Sequence, residues 1–270
     1  MSENYTISQL DQHTWRLEDP FHTYLYLVEG EERAALIDCG NGFSGLGEAI
    51  ASLTGKPVTA VLTHGHFDHT GCAALFSECL IHPADRDVLA QGFDPAERTR
   101  QMERFCQLHQ VTVSPEERVA FVGMRAPTVT GDLADGQVLD LGGRTLEVIA
   151  APGHTRGSVC LLDKKYGYLF SGDMACDNEV LVYFDHSAAV EDVLESDRKL
   201  LARRDEFTQI WPGHHRCPLD ASILEDYITA AQTVLADPAV GKRVELPDGY
   251  KLLYEYKTIG ISYTPEHVNK

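Results

Sequence analysis

The sequence lacks several features that would each define a class of protein. Its 23 Lys and Arg residues are outnumbered by 41 Asp and Glu residues, which gives a formal net charge of −18. Such a charge repels the phosphates of nucleic acids and anionic membrane surfaces, so we expect neither as a partner. The seven cysteines are odd in number and include no C-x-x-C pair. This disfavours a disulfide framework and is typical of reduced thiols in a cytosol.

Long apolar runs are also missing. No run approaches the roughly 18 apolar residues that a bilayer-spanning helix needs. The opening stretch MSENYTISQLDQHTWRLEDPF has no basic segment followed by an apolar one, so it does not read as a signal peptide. We therefore expect a soluble, unexported, cytoplasmic protein. With 270 residues, 43% of them hydrophobic, the chain is long enough to bury a substantial core.

Short apolar segments between glycine and polar residues predict strands in both halves of the chain. They include TYLYLVEG, AALIDCG and VTAVLTHG in the first half, and RTLEVIA, SVCLLD, YGYLFSGD and FTQIWPG in the second. Helices are predicted at GLGEAIASL, at TGCAALFSE directly after His69, and at LEDYITAAQTVL. A hairpin is predicted around PDG at 247–249.

Residues 94–130 differ from this strand-rich pattern. DPAE at 94–97 and SPEE at 114–117 each combine an N-cap residue, a proline at the first helical position and a glutamate two residues later. In the first predicted helix Met102 and Phe105 lie on one apolar face. We interpret this segment as a helical insert that forms a lid, because its apolar face must rest on the rest of the molecule.

The stretch VLTHGHFDHTGC concentrates imidazoles and a carboxylate where a strand ends. Within H-x-H the two-residue period of an extended chain turns His64 and His66 to the same side, while Asp68 and His69 open the following helix. Three further residues follow later strands, each directly after a glycine: His154 in APGHT, Asp173 in FSGD and His214 in WPGH. Strand ends on one edge of a sheet meet in space. Seven potential ligands exceed what one tetrahedral metal needs and fit two metals.

This pattern resembles the metallo-β-lactamase-fold hydrolase superfamily. The signature H-x-H-x-D-H and the later G-H-T, G-D and P-G-H elements occur here in the same order. The resemblance implies an α/β fold, a four-layer αββα sandwich of the metallo-β-lactamase type, as a single domain over residues 1–270 with the insert at about 94–130. It also implies two divalent metal ions. Zn²⁺ is the expected metal, with Fe or Mn as alternatives.

The resemblance further implies a role for each ligand. His64, His66 and His154 would hold the first metal, and Asp68, His69 and His214 the second, with Asp173 as the bridge. His214 is preferred over His215 because it follows Pro-Gly in the motif. A hydroxide that bridges two such metals is the expected nucleophile, since its pKa falls toward about 7. Asp68 is the predicted catalytic residue, orienting the nucleophile and carrying a proton.

The motifs do not select one subfamily. The residues after Asp173 lack the tyrosine of the lactonases and the Gly-Cys-Gly run of glyoxalase II. The predicted function is a zinc-dependent hydrolase of a small ester, thioester or lactone. A mononuclear iron oxidoreductase that resembles the persulfide dioxygenases is the alternative, and a metal-holding protein without turnover is the third. The substrate is a small molecule, and the oligomeric state is open, with a homodimer possible.

The segment NEVLVYFDHSAAVEDV at 178–193 follows Asp173 closely. It is predicted to be a loop over the site that leads into a helix capped by Ser187. Tyr183 and His186 could donate a proton to the substrate or the leaving group. The alternative is that Tyr183 packs in the core and His186 lies in solvent.

Overall fold

The computed structural model describes residues 4–247 and 249–270. The chain forms two compact units. Unit 1 comprises residues 1–133 and 139–145, and unit 2 comprises residues 134–138 and 146–270. The prediction of a single domain stays a prediction.

Unit 1 contains a mixed sheet of seven strands that lie side by side in chain order. The first four strands pair antiparallel, and from the fourth to the seventh the pairing is parallel. The strands are β1 (Thr6–Asp11), β2 (Thr14–Glu18), β3 (Tyr24–Glu29), β4 (Ala34–Ile37), β5 (Val58–Val61), β6 (Glu78–Ile81) and β7 (Gly131–Asp132). The central strands β3 and β4 are almost entirely buried, which explains their continuous apolar sequences.

The helices of unit 1 are α1 (Leu46–Leu53), α2 (Phe67–Thr70), α3 (Arg86–Gln91), α4 (Pro95–His109) and α5 (Pro115–Val122). Helix α1 buries Leu46, Ala49 and Ile50 in the same apolar core as the sheet. The predicted insert corresponds to α4 and α5. Both begin as expected, because the side chains of Asp94 and Ser114 accept hydrogen bonds from the N–H groups of the first turn.

Unit 2 contains two long helices and the remaining strands, except that the last two residues of β8 and the first residue of β9 belong to unit 1. A five-stranded sheet has the order β13-β11-β10-β9-β8, and a four-stranded sheet has the order β12-β16-β15-β14. The elements are β8 (Val138–Asp140), β9 (Thr145–Ala150), β10 (Val159–Asp163), β11 (Tyr168–Gly172), β12 (Glu179–Val182), α6 (Val190–Leu201), β13 (Gln209–Pro212), α7 (Ser222–Ala236), β14 (Lys242–Leu246), β15 (Gly249–Tyr256) and β16 (Ile259–Tyr263). Side chains of α6 and α7 share one buried core with β10, β11 and β16.

Two further expectations can be compared with these elements. Strands β14 and β15 pair antiparallel as a hairpin, although Asp248 in the predicted turn lies outside the described residues.

All seven cysteines are free thiols, and burial raises the pKa of Cys72 and of Cys176 to about 12. None of the helices in residues 4–247 and 249–270 is long and apolar enough to cross a bilayer.

Candidate metal centre

The loop that carries the H-x-H-x-D-H motif runs from strand β5 to helix α2. Gly65 separates its first two histidines, and a Cβ atom there would lie 2.7 Å from the Asp85 carbonyl oxygen and 2.9 Å from the Leu89 amide nitrogen. Only glycine fits at so close an approach. The Gly65 N–H group also donates to the buried Asp85 carboxylate at 2.8 Å. Packing and this hydrogen bond together fix the path of the loop.

The four candidate ligands of unit 1 lie side by side. Nε2 of His64 is 3.1 Å from Nδ1 of His66, and the ring centroids of His64 and His69 are 4.2 Å apart. Nε2 of His69 is 3.8 Å from Oδ2 of Asp68. Two nitrogens bound to one tetrahedral zinc at about 2.0–2.1 Å would be about 3.3 Å apart. The His64–His66 spacing therefore fits a shared metal.

Asp38, which was not predicted as a site residue, supports two of these histidines. Its carboxylate accepts a hydrogen bond from Nδ1 of His69 at 2.8 Å, and others from the N–H group and the hydroxyl of Thr63, both at 2.8 Å. Oγ1 of Thr63 is in turn 3.1 Å from Nδ1 of His64. Because Nδ1 of His69 donates to Asp38, Nε2 is the nitrogen that would bind a metal. Asp38 directly follows strand β4, so its position in the sequence resembles that of the predicted ligands.

The helix predicted at TGCAALFSE is wrong in extent. Helix α2 ends at Thr70, and only a 3-10 turn at Ala73–Leu75 follows. The N–H groups of Gly71 and Cys72 donate to the carbonyls of Gly40 and Cys39, at 2.7 and 3.2 Å, instead of continuing the helix. A Cβ atom at Gly71 would lie only 2.3 Å from the Asn41 backbone. Close packing on the loop after β4 thus ends the helix and holds His69 near Asp38.

The three candidate ligands of unit 2 converge on one carboxylate oxygen. Oδ2 of Asp173 lies 3.6 Å from Nε2 of His154 and 3.7 Å from Nε2 of His214. Asp173 follows β11 and His214 follows β13, and these two strands are parallel neighbours. Parallel strands end at the same edge, which brings the two residues together. An oxygen flanked by two imidazole nitrogens suits the bridging role predicted for Asp173.

Hydrogen bonds orient His154. Its Nδ1 donates to the Leu181 carbonyl at 2.9 Å, so Nε2 is the nitrogen that faces Asp173. A Cβ atom at Gly153 would lie 2.7 Å from Cε of Met174 and 2.8 Å from Cγ2 of Val193, so a larger residue there would require both side chains to shift. The ring and the backbone of His154 are therefore both fixed.

Ser187 is not the N-cap of the following helix, contrary to the sequence prediction. Helix α6 begins at Val190, and the Ala189 N–H group donates to the Asp192 carboxylate at 3.0 Å. The Ser187 hydroxyl instead donates to the His154 carbonyl at 2.8 Å. The serine thus supports the ligand-bearing loop.

The two histidines after Pro-Gly point to different partners. His214 is half-buried and directs Nε2 toward Asp173. His215 is exposed, adopts a positive φ of 67°, and places Nε2 3.2 Å from Nδ2 of Asn178. His214 therefore lies nearer to Asp173 in its contacts than His215 does, and its role as the ligand stays a prediction.

The segment 178–193 is only partly a loop. Its first residues form β12, which pairs parallel with β16 and buries Val180 and Val182. Tyr183 and His186 follow and are both half-buried. The Tyr183 ring centroid lies 5.3 Å from Nζ of Lys251, and the His186 ring stacks on Phe184 at 5.2 Å. The alternative prediction placed Tyr183 in the core and His186 in solvent. Both side chains are instead half-buried.

The helical insert packs against the motif loop. Phe105 of α4 contacts Phe67, the residue between His66 and Asp68, edge to face with ring centroids 5.4 Å apart. Further along α4, Arg98 is fully buried and donates to the carbonyls of Phe121 and Asn41 at 2.8 and 2.9 Å. The insert is therefore attached to unit 1 beside the four ligands of that unit.

The fold and these ligand sets together define the class of protein. The family model of the metallo-β-lactamase superfamily matches residues 19–214. The chain belongs to this superfamily, as its motifs predicted.

Named relatives are more specific. The chain is 34% identical over 203 residues to acyl-coenzyme A thioesterase MBLAC2 of Homo sapiens, an alignment that covers 70% of this chain and 72% of that protein. The protein of the same name from Gallus gallus is 32% identical, with 70% and 71% covered. An uncharacterized protein of Mycobacterium tuberculosis is 30% identical, with 67% and 80% covered. These similarities support a metal-dependent hydrolase.

Solved structures confirm the predicted fold class. A metallo-β-lactamase family protein from Thermus thermophilus superimposes with a TM-score of 0.61 at 21% identity, covering 87% of this chain and 85% of that one. The metallo-β-lactamase FIM-1 of Pseudomonas aeruginosa, in its mono-zinc form, gives a TM-score of 0.60 at 16% identity, covering 85% and 96%. At these identities the likeness concerns the fold alone.

Proposed function

We propose that this protein is a dinuclear metal-dependent hydrolase that cleaves acyl thioesters of coenzyme A. The observation that carries the proposal is the 34% identity, over 70% of the chain, to acyl-coenzyme A thioesterase MBLAC2. Within the predicted class of esters, thioesters and lactones, this similarity favours the thioester. The clusters of candidate ligands in both units support the metal dependence of the proposed hydrolase.

In this proposal the chain holds two divalent cations, with Zn²⁺ as the simplest choice for imidazole and carboxylate ligands. His64, His66 and His154 would hold the first metal. Asp68, His69 and His214 would hold the second, and Asp173 would contribute to both. When bound, such metals supply a hydroxide nucleophile at neutral pH and polarise the substrate carbonyl.

Asp68 orients the nucleophile and accepts its proton. It lies in α2, is 8% exposed, and directs Oδ2 toward Nε2 of the fully buried His69. We propose that the Asp68 carboxylate holds the attacking oxygen and passes its proton to the leaving sulfur. Tyr183 and His186 remain candidates to contact the substrate or to donate that proton.

The insert is proposed to act as a substrate-facing lid. The proposal rests on Phe105, whose ring contacts Phe67 and so holds α4 beside the loop of His66 and Asp68. Met102 and Phe121 of the same segment are fully buried in the core of unit 1, so deleting residues 94–130 would open that core. Phe105→Ala is the cleaner test. We expect a higher KM for acyl thioesters at unchanged metal content.

A substrate panel tests the function. Metal-loaded protein is assayed with an acyl-coenzyme A, an oxygen ester, a lactone and a phosphodiester, with thiol release or acid production as the readout. We expect the thioester to have the highest kcat/KM, and a chelator to abolish the activity until zinc is restored. Preference for a lactone or phosphodiester would overturn the thioester assignment.

Variants test the role of Asp68. Asp68→Asn keeps the volume and one oxygen, and should lower kcat by about 100-fold or more. Asp163→Asn is the matched control, since the buried Asp163 carboxylate accepts N–H groups of Lys165 and Tyr166 in a turn. Near-normal turnover of Asp68→Asn would limit Asp68 to a structural role.

A further inference from the structure

Arg156 is an exposed cation next to a candidate ligand. It lies two residues after His154, and it is the only exposed residue within 151–163, all of which the structure describes. No side-chain hydrogen bond or ion pair joins its guanidinium to any residue of 4–247 or 249–270. The exposed Asp185 lies nearby, because the Arg156 N–H group donates to the carbonyl of His186, the residue after Asp185. The side chains of Arg156 and Asp185 nevertheless form no ion pair.

The backbone beneath Arg156 is fixed. Its N–H group donates to the His186 carbonyl at 3.1 Å. The Thr155 N–H group donates to the Ser158 hydroxyl at 3.1 Å, and the Gly153 N–H group to the Thr155 carbonyl at 3.0 Å. The guanidinium therefore projects from an ordered loop and has its five N–H donors available to a ligand.

The charge of the protein makes this cation significant. Coenzyme A carries three phosphate groups, and a chain of net charge −18 repels them. A polyanionic substrate thus requires local positive charge where its phosphates bind. Guanidinium is the side chain best suited to phosphate because its planar fork gives two parallel charge-assisted hydrogen bonds. Arg156 offers this group on the same loop as His154.

We propose that Arg156 binds a phosphate of the coenzyme A part of the substrate and so sets the preference for coenzyme A thioesters over small thioesters. This rests on the proposed thioesterase function. Arg156 contacts the part of the substrate remote from the scissile bond, and its contribution is to KM. The His186 carbonyl accepts the Arg156 N–H group, and the His186 ring stacks on Phe184 with centroids 5.2 Å apart, which holds the neighbouring segment in place.

Two measurements on Arg156→Gln, Arg156→Lys and a control test the proposal. The control is Arg198→Gln, which removes the same charge from an exposed position of α6. The first measurement compares KM for an acyl-coenzyme A and for the same acyl group on N-acetylcysteamine, which has no phosphate. The second is calorimetric binding of S-ethyl coenzyme A, a thioether that cannot be hydrolysed.

We expect Arg156→Gln to raise KM for the coenzyme A thioester, and Kd for S-ethyl coenzyme A, by about tenfold, with the N-acetylcysteamine thioester unaffected. Arg156→Lys should retain part of the affinity, and Arg198→Gln all of it. Equal effects on both thioesters, no effect on either, or a wild-type protein that does not bind S-ethyl coenzyme A would overturn the role of Arg156. Binding that depends on Arg156 without any thioester hydrolysis would support that role and refute the thioesterase function.

Discussion

Replacing Asp38 by asparagine should impair the second metal position without removing any ligand. Oδ1 accepts the Thr63 N–H group at 2.8 Å, and Oδ2 accepts the Thr63 hydroxyl and Nδ1 of His69, both at 2.8 Å. An asparagine oxygen can keep the Thr63 N–H bond, but the amide nitrogen then faces His69. Two donors would oppose each other, so His69 must move its proton to Nε2, the nitrogen that a metal needs.

The size of the effect follows from this tautomer change. Loss of a carboxylate that orients a metal-bound histidine reduces metal affinity by about 10 to 100-fold. His69 is fully buried and Asp38 is 2% exposed. Solvent water therefore cannot easily replace the lost acceptor, and we expect the upper part of that range.

Metal competition against a chromophoric chelator measures this affinity. Asp38→Asn should lose affinity at one of two positions, and Asp163→Asn, a second buried acid, should lose none. Thermal unfolding of both apoproteins reports any general loss of stability. Equal metal affinity in Asp38→Asn and the wild type would refute the argument that Asp38 fixes the tautomer of His69.

Three further predictions concern other buried or partly buried groups. Burial raises the pKa of Asp197 well above its usual value, and neither of its oxygens has a hydrogen-bond partner among the described residues. The stability that protonated Asp197 contributes is complete below about pH 4 and falls as the pH rises toward the raised pKa, by up to about 1.4 kcal/mol per pH unit. Asp197→Asn should remove that slope in urea unfolding followed against pH, and parallel profiles would contradict this. Arg98→Met leaves two carbonyls without their donor and should lower the free energy of unfolding by about 1–3 kcal/mol, whereas an unchanged urea midpoint would show that the buried guanidinium contributes nothing. Tyr183→Phe and His186→Gln, measured separately, should show a loss in kcat of about tenfold or more in the one that removes a proton donor; wild-type kcat in both would leave the loop without a chemical role.

Much of the fold was predictable because its strands and insert follow local rules. The buried strands β3, β4, β10 and β11 have continuous apolar sequences, and α4 and α5 have explicit N-caps. The errors fall where tertiary contacts override local signals. Gly71 and Cys72 bond to the loop after β4 and end α2 early. Ser187 bonds to His154 and not to the first turn of α6.

In the candidate site, too, residues within a sequence motif could be predicted, whereas residues placed by tertiary contacts could not. The seven predicted ligands follow strand ends in a recognisable order, which is why the sequence alone could propose them, and their role as ligands stays a prediction. Asp38 was missed because a single aspartate after a strand carries no motif of its own, and its contact with His69 depends on the pairing of β4 with β5. The structural role of Arg98 was not predicted, because nothing in the sequence indicates that this charged residue of an amphipathic helix is fully buried.

Metal content combined with activity is the most direct test of the central claim. Protein purified without chelator is analysed for metals, and apoprotein is titrated with Zn²⁺ while thioester hydrolysis is followed. We predict two equivalents per chain, with activity that reaches its maximum at the second equivalent. A reproducible value of one equivalent of iron, with oxygen consumption in the presence of a persulfide and no thioester hydrolysis, would contradict the dinuclear hydrolase and support the dioxygenase alternative.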